Sequence, residues 1–254
     1  MNKRQFVESK DDFSYRDTVT EIIQAGVLSG YFALGLPLKR QKLKEYVDKR
    51  FPSKGPGQPI KTPESLTMAI REALVILRER RLVSIVPKQG TYPRLLSEDE
   101  ILEIQETRRV LEQFVARHLA QMADVDLTEL TRLNRTMRRL ADAHPRSDDD
   151  LIKFVTLDDQ FHRGLAELAG FGTTIAPILG DLRSRLRLVA LPSAKSFRGT
   201  TVDEHENILK AIRKASQRDR TELSEVDQAV ENHLTKALDR WKWRVGRNVP
   251  DSAD

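Results

Sequence analysis

The sequence predicts a mainly α-helical protein with one small β-hairpin, and three observations predict it. Apolar residues recur at three- and four-residue steps through most of the 254 positions. Only one short run, Leu82-Val-Ser-Ile-Val86, is rich in β-branched residues, and it is followed by a turn at Pro87-Lys-Gln-Gly90 and a return at Thr91-Tyr92. Beyond Ser97, six amphipathic stretches succeed one another without a strand, which is the pattern of an all-α bundle.

Taken in order, residues 1–13 are polar and mixed in charge and are expected to be disordered. From Ser14 to Leu28, Tyr15, Val19, Ile22, Ile23 and Val27 form a helical stripe that Gly30 ends. A connection through Leu36-Pro-Leu38 leads to a second helix at about 40–50, where Lys and Arg surround Leu43 and Val47. Phe51-Pro-Ser-Lys-Gly-Pro-Gly-Gln-Pro59 follows, with too many prolines and glycines to be helical. The third helix starts with Thr62 as its cap and Pro63 in the first helical position, and runs through Leu66, Ile70, Ala73, Leu74 and Leu77 to about Arg80. Three helices and a hairpin within about 80 residues make a winged helix-turn-helix, assigned here to residues 14–93.

Pro93 to Ser97 is a linker. Ser97 and Glu100 have capping-box spacing and open a long helix with a stripe of Ile101, Ile104, Arg108, Leu111, Phe114 and Leu119. Further helices are expected at about 126–142, 148–169 and 174–191. Another is expected from Thr201, capped with Glu204, to about Lys214, and the last from Thr221 to Trp243. Together they make an all-α domain over 97–244.

Composition narrows the function. With no cysteine, neither disulfides nor thiolate metal sites are possible, so a metal must be held by His and carboxylate. No apolar run reaches the roughly 18 residues of a membrane span and no secretory start is present, which points to the cytoplasm. Residues 1–94 hold 18 Lys/Arg against 10 Asp/Glu, whereas the remainder is slightly acidic. Such asymmetry suits a chain in which only the first domain meets a polyanion.

The segment Leu157 to Gly170 carries the chemistry. Phe154, Phe161, Leu165 and Leu168 give it one buried face, and Asp158 and His162, four apart, fall on or beside that face. Burying a carboxylate or an imidazole without a partner costs several kcal/mol. His205 lies one turn before Ile208-Leu209, and His233 lies a turn past Val230 and a turn before Ala237, so both point inward. One inward histidine is more often a packed core residue than a ligand. Three with an aspartate suit a divalent ion such as Zn, Ni or Mn. His118 and His144 fit no such pattern and are read as surface or packing residues.

Two sets of residues resemble a known family. In the first domain these are Ala69-Ile-Arg-Glu-Ala-Leu74, Leu77, Leu82-Val83 and Gly90-Thr91. In the second they are Arg108-x-x-Leu-Glu112, Asp158-x-x-Phe-His162, Ala169-Gly170, Glu204-His205 with Ile208-Leu209, and His233-Leu234. The sequence resembles the GntR transcription regulators, in the FadR-like branch with a C-terminal FCD domain, over roughly residues 15–240. Three departures stand out: an insertion at 51–62 with Thr67 or Leu66 where the family has Arg, Phe171 in place of Asn, and a longer gap between His205 and His233.

The resemblance implies a homodimeric regulator, most simply a repressor, that binds a double-stranded DNA operator and responds to a small organic acid. The third helix becomes the recognition helix. Arg71 would face the duplex, Lys61, Ser65 and Thr67 would be candidate readers at the helix start, Lys88 and Gln89 would form the wing tip, and Lys42 and Lys44 would contact phosphate. Asp158, His162, His205 and His233 would hold the metal. Arg108, Arg183 and Arg187 could clamp an effector carboxylate, although for Arg108 an ion pair with Glu112 is as good a reading. The rivals are a metal-dependent enzyme of the helical-bundle type and a regulator whose metal is purely structural. No second carboxylate placed as a base and no nucleophile motif are evident, so an enzyme is not expected.

Overall fold

The computed structural model describes residues 15–51, 62–143, 148–190, 198–217 and 223–245. Residues 1–14, most of the 51–62 insertion, Lys61 and His144 lie outside the described residues. The chain divides into two compact units, Met1–Arg94 and Leu95–Asp254.

In the first unit, α1 (Tyr15–Leu28), α2 (Arg40–Arg50) and α3 (Pro63–Glu79) precede the antiparallel strands β1 (Val83–Val86) and β2 (Gly90–Pro93). Val19, Ile23 and Val27 of α1 are buried together with Leu43 and Val47 of α2 and with Leu66, Ile70, Ala73 and Leu77 of α3. The α3 start is a full capping box. The Thr62 hydroxyl accepts from the Ser65 amide, and the Ser65 hydroxyl accepts from the Thr62 amide. After α3 the chain turns through Arg81 at φ +58°, and the Leu82 amide still donates to Leu77 O. Leu82 therefore closes the helix, and the strand starts one residue later than expected. The hairpin turn places Lys88 at φ +63° and Gly90 at φ +125°, a backbone that glycine adopts without strain. The Leu38 amide donates to Thr91 O at 2.7 Å, fastening the α1–α2 connection to the hairpin.

The second unit consists of α4 (Glu98–Gln121), α5 (Thr128–Asp142), α6 (Asp148–Leu168), α7 (Ile175–Ala190), α8 (Arg198–Gln217) and α9 (Ser224–Val245). The expected Ser97/Glu100 box is present. Helix α6 ends at Gly170, φ +84°, with the Phe171 amide donating to Ala166 O. Two expectations need correction. Thr201 does not cap α8, because the helix begins at Arg198. Val202 is buried with Met137, Ala141 and Phe154, and its carbonyl accepts from Asn134 Nδ2, so the helix is already formed there. Phe114 is not part of the inner stripe of α4, since half of it (51%) is exposed; Val115 and Leu119 face inward instead. Helix α4 packs against α6, α7, α8 and α9, and α5 covers α6 and α8. The main core of the unit lies between these helices.

Candidate functional site

Helices α6, α8 and α9 each turn a histidine toward one point, and α4 and α8 supply carboxylates behind them. His162, His205 and His233 are 1%, 0% and 3% exposed, so their ring chemistry is wholly internal. Their ring centroids lie 5.1 Å (162–205), 5.0 Å (162–233) and 4.9 Å (205–233) apart, a nearly regular triangle. Phe161 stacks flat on His205 at 4.0 Å and packs edge-on against His162, which fixes both rings by contact.

Two of the rings have a buried carboxylate beside Nδ1. His162 Nδ1 faces Glu112 Oε2 at 2.8 Å, and His233 Nδ1 faces Glu204 Oε2 at 2.9 Å. A carboxylate behind one ring nitrogen leaves the other free for a ligand and makes it more basic. The inner atoms are indeed left over. His162 Nε2, His205 Nε2 and Asp158 Oδ1 are buried and make no hydrogen bond among the described residues. Asp158 Oδ1 lies 3.3 Å from His205 Nε2 and 4.0 Å from His162 Nε2. One nitrogen from each of the three histidines falls within 4.8 Å of the others. Orphaned polar atoms in such a cluster each cost about 1–3 kcal/mol if nothing meets them. The donor set therefore fits a divalent metal ion of the Zn, Ni or Mn type.

The charges around the cluster are balanced by arginine. Arg183 Nη2 pairs with Asp158 Oδ2 and its Nε with Asp159 Oδ1 at 3.0 Å, while Arg187 Nη1 reaches Asp159 Oδ2 at 2.7 Å. Burial alone would raise the Asp158 carboxyl, but the Arg183 guanidinium and the imidazoles of His205, His162 and His233 hold it well below the usual carboxylate range. The Glu112 carboxyl is likewise held low against its burial, by Arg108 and His162. Burial, with Arg183, pushes His162 down to about 4, and burial with the neighbouring His233 carries His205 well below its ordinary value. His162 and His205 are therefore neutral at pH 7, the form that ligates metal.

The long gap between His205 and His233 does not part them. Helices α8 and α9 pack against each other, and both rings reach the same cluster. Arg108 pairs with Glu112 through Nε at 2.9 Å and with Gln105 through Nη1 at 2.8 Å; its buried Nη2 has no partner among the described residues. Arg183 and Arg187 are engaged with Asp158 and Asp159, and Arg187 Nε is buried without a partner among the described residues. Sequence reasoning missed the supporting roles of Glu112, Glu204 and Asp159. From the sequence, Glu112 reads as a partner of Arg108 and Glu204 as a helix cap, apart from their places in the family motifs. Only the inward register of Glu112, one turn from Arg108, hinted otherwise.

In the first unit, Arg71 is exposed on α3 and Lys88 and Gln89 are exposed at the hairpin tip. Ser65 and Thr67 are half-buried, and their hydroxyls donate to the backbone, Ser65 to Thr62 O at 2.9 Å and Thr67 to Pro63 O at 2.8 Å. Neither has a free hydroxyl proton to give a base. Lys42 is exposed and sits over the Tyr31 ring at 5.1 Å, and Lys44 is half-buried. His118 is exposed beside Phe171, 4.9 Å between centroids.

Residues 103–236 match the family model described as the FCD domain. An uncharacterised HTH-type transcriptional regulator in an unstable DNA locus of Streptomyces ambofaciens is 31% identical over 122 residues, 47% of this chain and 49% of that protein. The HTH-type transcriptional repressor RspR of Escherichia coli is 31% identical over 100 residues, 39% of this chain and 42% of that one. The aligned stretch thus spans about half or less of these two relatives. The repressor NanR of Cronobacter sakazakii aligns more fully, 26% identical over 81% of this chain and 88% of its own length. In fold, the chain is similar to a GntR transcriptional regulator from Rhodococcus sp. RHA1, with a TM-score of 0.66 at 21% identity over 90% of this chain and 98% of that one. Escherichia coli McbR/YncC gives the same TM-score at 14% identity, over 92% of this chain and 99% of that one. A winged helix-turn-helix followed by a helical domain, with the FCD match over more than half its length, makes this chain a member of the FadR-like GntR transcription regulators that carry an FCD domain.

Proposed function

We propose that this protein is a metal-dependent, ligand-responsive repressor that acts in the cytoplasm as a homodimer on a double-stranded DNA operator. The observation that carries the metal reading is the convergence of three buried imidazoles within 4.8 Å of one another, with the Nε2 atoms of His162 and His205 unpartnered beside Asp158 Oδ1. Asp158, His162, His205 and His233 would hold the ion, whose chemistry is Lewis acidity and affinity for an anionic oxygen. Glu112 and Glu204 hold two of the rings in place, and Arg183 holds Asp158. The buried, unpartnered Nη2 of Arg108 leaves a donor that could pair with an oxygen of a small carboxylate. Arg183 and Arg187 contribute by holding Asp158 and Asp159 in place.

The operator is met by α3, with Arg71, and by the hairpin tip, with Lys88 and Gln89. Lys42 and Lys44 would contact phosphate, with Ser65 and Thr67 near the start of α3; Lys61, just before the Thr62 cap, lies outside the described residues. A dimer is supported by an apolar strip on the second unit. Val110 and Phe114 lie one turn apart on α4 and are 63% and 51% exposed; Ile178 on the adjacent α7 is 43% exposed. Phe114 also packs on Phe171, which continues the strip. Among the described residues no helix is long and apolar enough to cross a membrane.

The test is a thermal-shift series. Small carboxylates should raise the melting temperature of metal-loaded protein and do little after chelation, because the ion anchors them. At a hundredfold excess over Kd the gain is about 2.7 kcal/mol. Equal shifts with and without chelator would detach the effector from the metal.

A further inference from the structure

The outward face of α3 holds a residue that the DNA reading has not used. Met68 is 65% exposed, the most exposed of the large apolar residues described. Its helix buries Leu66, Ala69, Ile70, Ala73 and Leu77 against the unit, so Met68 is not part of that core. It stands four residues after Glu64 and three before Arg71, and both of these are exposed, so the three share one ridge in the first half of the helix.

The neighbouring hydroxyls are poorly placed to give specificity. Ser65 both accepts and donates within the capping box, and the Thr67 hydroxyl proton goes to Pro63 O. What remains to touch base edges in the first turns is an acidic group, a guanidinium and a thioether. In the major groove an apolar side chain has one sequence-specific partner, the C5 methyl of thymine. A flexible, polarizable methionine fits such a contact well.

We propose that Met68 is a specificity-determining residue that reads a thymine methyl group in each operator half-site, beside the position contacted by Arg71. The inference rests on α3 being the helix that enters the groove. The basic excess of residues 1–94 brings the duplex to this unit without choosing a sequence. Met68 adds choice, because its contact exists at thymine and is lost at uracil, which differs only by that methyl.

The experiment uses full-length protein and an operator obtained by selection from random duplexes. Each thymine is replaced in turn by deoxyuridine, and binding is read by fluorescence anisotropy. Wild-type protein should lose about fourfold in affinity at one symmetry-related pair of positions, the worth of one buried methyl group. Met68→Ala should bind the unmodified operator about as weakly as wild type binds the uracil operator, and should no longer distinguish the two. Its melting temperature should match wild type, since the side chain is exposed. Wild-type binding that is indifferent to uracil at every position would overturn the proposal, as would undiminished discrimination by Met68→Ala. Arg71→Ala separates this from the broader reading. If Arg71→Ala weakens binding while uracil has no effect, only the Met68 contact falls. Should Arg71→Ala bind as tightly as wild type, α3 is not the reading helix and the Met68 proposal falls with it.

Discussion

Glu204 stands directly before the inward-facing His205 in sequence but serves His233 in space. It lies beside His205 on α8, and its carboxylate faces His233 Nδ1 on α9 at 2.9 Å. Both partners are almost fully buried, so the pair is shielded from solvent and the carboxylate sets which nitrogen of His233 is free. Glu204→Gln keeps the volume and removes the charge. It should lower metal affinity by about 10–100-fold in a chelator competition while the helix content is kept. Unchanged affinity would mean that Glu204 has only a packing role. His162 has the corresponding arrangement with Glu112, which is shared with Arg108. Truncating Arg108 would therefore disturb the histidine cluster through Glu112 even without any effector.

At the scale of the elements, α1 and α2 approach closely where α1 has no side chain. A methyl group placed on Gly26 would come within 2.5 Å of Phe32 Cε2 and 2.8 Å of Tyr46 Cε1. Gly26→Ala should therefore destabilise the first unit by about 1–3 kcal/mol, the usual cost of overpacking. Hydrogen exchange should quicken across α1 and α2 and stay unchanged in α4 to α9; uniform protection would contradict this packing. Gly26 itself gave no sign of this role in the sequence, because the contact is made by rings that lie six and twenty residues further on. The capping signals of α3 and α4 and the helical periods were legible, since they depend on neighbours in the chain. Thr201 had the same spacing and failed, because burial of Val202 against α5 and α6 draws the start of α8 back to Arg198. Phe114 misled in the same way. Its step from Leu111 and Arg108 is helical, but only the packing of α4 decides which side of the stripe is covered. Asp158 and the histidines were legible as inward residues; their convergence, and the carboxylates behind them, came only with the fold.

At the scale of the molecule, one ion would tie α6, α8 and α9 together, with α4 behind them, and the exposed strip of α4 and α7 would join two copies. Full-length protein should have a dimeric mass by light scattering, and Phe114→Asp, which places a charge in that strip, should yield monomers with intact helix content. A dimeric mass for that variant would move the interface elsewhere. The central claim, however, is that the three histidines and Asp158 hold a divalent metal. Elemental analysis tests it most directly, on protein purified without chelator and then dialysed against Zn, Ni or Mn. One ion per chain is expected for the wild type, with loss of that ion in His162→Ala and in His205→Ala. Less than a tenth of an ion per chain under all three metals, or full occupancy retained by both variants, would contradict it.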